Sequence, residues 1–152
     1  MRNRLSWRWQ LAALPLLIAA IWFSNLRETP PLTPQPAPED SNSNAALYQV
    51  IAQNRGGATV CGAGQVAKVL KDDTEGSRHQ RFILDLGAGK TVLVAHNIDL
   101  APRLPGLRPA DHVTFCGQYE TNARGGVIHW THRDPGGRHV DGWLELRGRR
   151  YQ

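Results

Sequence analysis

Beyond residue 58 the apolar side chains of this chain recur at every second position, a period of two that calls for sheet and excludes a helical bundle. Thr59 to Leu70, Gln80 to Leu86, Thr91 to Ala95, His112 to Glu120 and Val127 to His132 each read as a strand. In the fourth, Val113, Phe115 and Tyr119 share one face while Thr114, Cys116, Gln118 and Glu120 share the other, so one side is core and the other half wet. Gly87-Ala88-Gly89-Lys90 and Thr121 to Gly126 have the composition and length of hairpin loops. Asn97 to Asp111, NIDLAPRLPGLRPAD, is the insertion long enough for a helical turn, which Asn97 or Asp99 would cap. A short helix is expected over Ala45 to Gln53. Five strands with a helical turn between the third and fourth predict a mainly β, OB-like barrel over 45–152, with a flat sandwich as the rival. Gly142 to Gln152, turning near Arg147-Gly148, would add a hairpin to its rim.

The first 44 residues have a different character. Arg2, Arg4 and Arg8 precede an apolar run from Leu11 to Phe23, the pattern of an export signal. Counted outward from Trp7 to Leu26, the segment reaches the roughly 20 residues that cross a bilayer core. Trp7, Trp9 and Trp22 stand where interfacial anchors belong. No small-x-small pattern follows Phe23, which favours an uncleaved signal anchor over 1–28 to a removed signal peptide. The basic residues before the span place the N-terminus inside and the domain outside. Residues 29–44, TPPLTPQPAPEDSNSN, then read as a Pro-rich tether. The expected location is a bacterial inner membrane, crossed once, with the domain in the periplasm, or secretion if the signal is cleaved.

Charge excludes little. The whole chain is +5, and without the four Arg and three acids before residue 45 the domain is about +4, compatible with an anionic partner but common without one. The two Cys, 61 and 116, fall in strands one and four, neighbours in an OB barrel, and an oxidising compartment favours a disulfide. Gly87-Ala88-Gly89-Lys90-Thr91 imitates the end of a phosphate-binding loop. Leu84 stands where that motif needs its first Gly, and a strand follows where it needs a helix, so nucleotide hydrolysis is set aside.

Three polar strings carry more functional side chains than a barrel requires: Gly76 to Arg81, His96 to Asp99, and His129 to Pro135 running on to His139. As a binding face they offer Arg78, His79, Arg81, Asn97, Asp99 and His129, with Arg124 from the loop after strand four and Trp130 as a stacking surface for an anionic oligomer or a glycan. The plainer alternative makes the Arg solvated and Trp130 core. As an enzyme, the chain would be a metal-dependent hydrolase acting on phosphodiesters. His132, Asp134 and His139 would hold a zinc-like divalent ion, and His96, His132 and Asp134 would be the catalytic candidates. On a regular strand His129 and His132 face opposite ways and cannot share an ion. A third reading is an envelope assembly component without a small ligand, signalled by an exposed apolar patch.

The same strings, GSRHQRFIL, AHNIDLAPR and GGVIHWTHRDPGGRHVDGWL, resemble an uncharacterised bacterial family, domain of unknown function 3465, over about Gly64 to Gln152. The resemblance implies a bacterial exported domain and assigns no activity, cofactor or catalytic residue.

Overall fold

The computed structural model describes residues 44–152, so the expected anchor (1–28) and all but the last residue of the tether lie outside the described residues. Among the described residues no helix is long and apolar enough to cross a membrane. One helix, α1 (Ala45–Ala52), precedes seven strands: β1 (Ala58–Val69), β2 (His79–Gly87), β3 (Lys90–Asn97), β4 (His112–Glu120), β5 (Val127–His129), β6 (Trp143–Leu146) and β7 (Arg149–Tyr151). The first five close on themselves in the order β1-β2-β3-β5-β4, with β4 returning to β1 and β3 running parallel to β5. This is the five-stranded OB barrel expected from the strand pattern. The hairpin β6-β7 extends it, β6 pairing with the first half of β4 while β5 pairs with the second half.

Alternation explains the core. Phe82 and Leu84, Val92 and Val94, Val113 and Phe115 and Ile128 all point inward and are essentially fully buried, as is Leu144 of the added hairpin. Beyond Gly87, Ala88 (φ 51°) and Gly89 (φ 70°) both take left-handed backbone, the conformation that a two-residue hairpin between right-twisted strands demands. The false phosphate loop is therefore a tight turn into β3.

Small residues let the first strand coil around the barrel. A Cβ at Gly64 would stand 2.6 Å from the Asp85 carbonyl oxygen, and one at Gly62 would stand 2.5 Å from Asn44 Oδ1. Asn44 itself, read from sequence as the end of the tether, is buried and pairs with the Ala63 peptide: its Nδ2 donates to Ala63 O at 2.8 Å and its Oδ1 accepts from Ala63 N at 2.9 Å. Asn44 is thus part of the folded domain.

The segment from Asn97 to Asp111 forms turns and no helix. Asn97 Oδ1 accepts from Asp99 N at 2.9 Å, a start that a helix would use, but Pro102, Pro105 and Pro109 cannot continue an i to i−4 ladder. Leu104 closes the barrel in its place. It is fully buried, and the Gln80 side chain pairs with its peptide, accepting Leu104 N at 2.8 Å and donating to Leu104 O at 3.0 Å.

Cys61 and Cys116 face each other across β1 and β4 with Cα atoms 4.1 Å apart and are joined by a disulfide. It crosses the seam where the barrel closes, linking strands 55 residues apart.

Candidate functional site

The fifth strand ends sooner than its composition suggests. Pairing stops at His129, and Trp130 takes left-handed backbone, φ 54°, a conformation that costs an L-residue about 1–2 kcal/mol. The surrounding backbone holds it there. Gly142 lies so close that a Cβ would come within 1.9 Å of Trp130 O, and a Cβ at Gly117 would come within 2.4 Å of His129 O. Gly142 N donates to His132 O at 2.9 Å, closing residues 132–142 into a hook between β5 and β6.

Asp134 organises that hook. Its side chain is buried and accepts from the backbone N–H groups of Gly136 (2.9 Å), Arg138 and His139 (2.9 Å), and from the Arg138 guanidinium at 3.4 Å. Burial works against its ionisation, but the N–H groups of Gly136, Arg138 and His139 outweigh burial and bring its pKa down to about 2. Four hydrogen bonds engage the two oxygens, so the side chain of Asp134 is spent on holding the turn.

The left-handed turn overturns the expectation that His129 and His132 face opposite ways. Both line one open pocket of about 340 Å³, whose other walls are Ser77, His79, Ala95, Asn97, Leu100 and Trp130. The His79 and His129 rings meet edge to face with centroids 6.2 Å apart. Burial, and then His79 beside it, lower the His129 pKa, with Glu120 opposing. Trp130 stands at the mouth, 37% exposed, and its ring packs on His139 at 4.3 Å between centroids. It is neither core nor free-standing. Of the three exposed large apolar residues among those described, Leu100 and Trp130 belong to this pocket, and Val140 follows His139.

His96 lies behind the pocket and is fully buried. Its Nε2 donates to Pro102 O at 3.1 Å, so its Nδ1 is the acceptor for the Thr131 hydroxyl at 2.8 Å. Burial pushes its pKa down to about 4, against the pull of the Pro102 carbonyl and helped by His132 and His79 nearby. Both of its nitrogens are engaged, and it does not line the pocket.

Two of the arginines expected on the binding face, Arg78 and Arg81, are engaged with neighbours. Arg78 donates to Asp99 from both its backbone N and its Nε at 2.7 Å, the backbone bond being the larger cause of the lowered Asp99 pKa. Arg81 donates to Lys71 O and lies 3.7 Å from Asp73. Arg124 lies in the β4–β5 turn and does not line the pocket.

The model of the family described as "Protein of unknown function (DUF3465)" matches residues 35–152. The chain belongs to this family. No curated protein and no solved structure matches it. The DUF3465 match begins ahead of α1 and takes in the whole barrel and both ends of the hook, including every pocket residue named above.

The first polar string, Gly76 to Arg81, supplies two wall residues, Ser77 and His79, and the last supplies three, His129, Trp130 and His132. The middle string supplies Asn97, and its His96 turns inward. Ala95 and Leu100 are pocket residues outside the three strings that nothing in their type announces. Among the described residues no group of three or more His, Cys, Asp and Glu could hold a metal ion, so His132, Asp134 and His139 do not make the three-ligand centre considered from sequence.

Proposed function

We propose that this chain is an exported, membrane-tethered binding protein whose barrel takes one sugar ring of a glycan in the Trp130 pocket. The observation that carries this reading is Trp130 itself: an indole kept partly exposed at a pocket mouth, on backbone that costs energy and is fixed from two sides by close-packed glycines. Such strain in a ring that could have folded into the core favours a stacking role. The remaining walls offer hydrogen-bonding groups of both kinds, in Ser77, Asn97 and the imidazoles, as a polyol requires.

No Lys, Arg, Asp or Glu lines the pocket, which favours a neutral sugar over an anionic oligomer. The phosphodiesterase reading loses support with His96 buried and Asp134 saturated. The N-terminal apolar run and the disulfide both favour an oxidising compartment outside the cytoplasm.

The test is titration of the full chain with N-acetylglucosamine oligosaccharides and, separately, with short oligonucleotides, following the indole N–H resonance of Trp130. The expected result is a saturable shift with the sugar that changes little with salt, and a loss of affinity of about ten- to a hundredfold in Trp130→Ala. Binding to the oligonucleotide with a steep salt dependence would replace the glycan by an anionic polymer. Undiminished sugar binding by Trp130→Ala would sink the pocket assignment.

A further inference from the structure

Of the five histidines in and around the Trp130 pocket, three are already spent on the protein. His96, His132 and His139 each turn Nδ1 onto a protein oxygen: the Thr131 hydroxyl at 2.8 Å, Arg133 O at 2.6 Å and Val140 O at 2.8 Å. His79 and His129 differ. Among the described residues neither of these rings is hydrogen-bonded to the protein, and both line the pocket with Ser77, Asn97 and Trp130. Their four ring nitrogens are left for water or a ligand. A neutral imidazole offers one donor and one acceptor, and an imidazolium offers two donors.

No Lys, Arg, Asp or Glu lines the pocket, so its imidazoles alone can charge it. Histidine is the side chain that gains charge as pH falls from 8 to 5. The charged groups around the lining are largely engaged elsewhere. Asp99, close to His79, accepts two bonds from Arg78, and Asp73, bridged to the His79 backbone, lies 3.7 Å from Arg81. Glu120 acts on His129 from β4 and accepts from Gln118 Nε2 at 2.6 Å. Behind His132 stand His139 and the Asp134–Arg138 pair, and behind the pocket is the buried His96. At 6.2 Å between centroids, two imidazolium charges repel by about 1–3 kcal/mol for an effective dielectric of about 80 to 20. The empty pocket resists the second proton, and a bound anion removes that resistance.

We propose that the pocket recognises a sugar acid, its ring packed on Trp130 and its single carboxylate held by His79 and His129, more tightly as these rings take up protons. This rests on the sugar-binding reading and adds the group that selects among sugars. A carboxylate suits the pair better than a phosphate, because phosphate sites draw on Arg, Lys or a helix N-terminus, and none of these lines the pocket.

The full chain in mild detergent is titrated calorimetrically with glucuronate and with glucuronamide, its neutral analogue of the same shape, at about pH 7.5 and about pH 5.5 and constant ionic strength. Where binding needs one proton on an imidazole of ordinary pKa, affinity at the two pH values differs about tenfold. Expected are that gain for glucuronate, less than about a twofold change for glucuronamide, and proton uptake on binding glucuronate, read from two buffers of different ionisation enthalpy. His79→Gln and His129→Gln should each lose most of the gain, and His112→Gln, outside this pocket, should keep it. Glucuronate bound without proton uptake, or equally well at both pH values, would overturn the proposal whatever the variants do. So would glucose 6-phosphate bound more tightly than glucuronate in acid. If N-acetylglucosamine oligosaccharides bind, such a failure strikes the carboxylate alone; if no sugar binds at either pH, the sugar-binding reading falls with it.

Discussion

His96 ties the stability of this barrel to pH, and the sign follows from its burial. In the unfolded chain an ordinary imidazole titrates at 6.5, whereas in the folded chain burial holds His96 at about 4. As pH falls the unfolded chain takes up the proton first. The neutral ring's contribution is therefore complete above 6.5 and is lost progressively down to about 4, below which this residue adds no further loss. At about 1.4 kcal/mol per pH unit, the gap sets a loss of about 3 kcal/mol. Urea unfolding of the parent and of His96→Gln, followed by near-ultraviolet circular dichroism at about pH 7.5 and about pH 4.5, isolates the effect. Glutamine can donate to Pro102 O and accept from the Thr131 hydroxyl without titrating. The variant should be less stable at neutral pH by about 1–2 kcal/mol through imperfect packing. It should then lose about 2–3 kcal/mol less than the parent on acidification, so that at about pH 4.5 it equals or overtakes the parent. Asp99, Asp111 and Asp134 have lowered pKa values, so their losses fall below the usual carboxylate range, are shared by both proteins and cancel. Equal losses in parent and variant over this window would refute the assignment of His96 as a buried neutral ring.

Other outcomes follow from the same contacts. Gly142→Ala, whose Cβ would sit 1.9 Å from Trp130 O and 2.7 Å from Cys116 O, should cost more than about 3 kcal/mol in chemical unfolding, because both neighbours are backbone and cannot swing away. Cys61→Ala with Cys116→Ala releases the 55-residue separation and should lower unfolding free energy by about 4 kcal/mol. Trp130→Gly removes the left-handed penalty along with some packing and should leave the melting temperature within a few degrees of the parent while sugar binding disappears, a separation of stability from function. Asp134→Ala frees the N–H groups of Gly136, Arg138 and His139 together, and faster amide hydrogen exchange confined to the hook would report it.

The barrel was legible because alternation is local. Inward residues such as Val113, Phe115 and Tyr119 stand two or four apart, and spacing alone puts them on one face whatever the partner strands do. The order of strands, the two hairpin loops and the facing of Cys61 and Cys116 follow from that pattern and from chain connectivity. Family membership was also written in the chain, in the three polar strings. The apparent helical turn after β3 was only half legible. Asn97 does cap a turn, but three prolines and the demand for an apolar plug put Leu104, extended and paired by Gln80, where a helix was expected.

The candidate site was decided by tertiary structure. Its residue types were visible as a concentration of His around one Trp, yet their roles were not. His96 and His129 look alike in sequence. One points inward between Pro102 and Thr131, and the other lines the pocket, because the strands that carry them present opposite faces at those positions. Nothing in the sequence marks Trp130 for positive φ: that conformation is imposed by backbone from Gly142 and Gly117, brought against it from the β6 approach and from β4. The turn at Trp130 then places His132 beside His129 and near His139. Composition and period determined what this chain folds into; long-range backbone contacts, which no local pattern encodes, decided which of its histidines line the pocket.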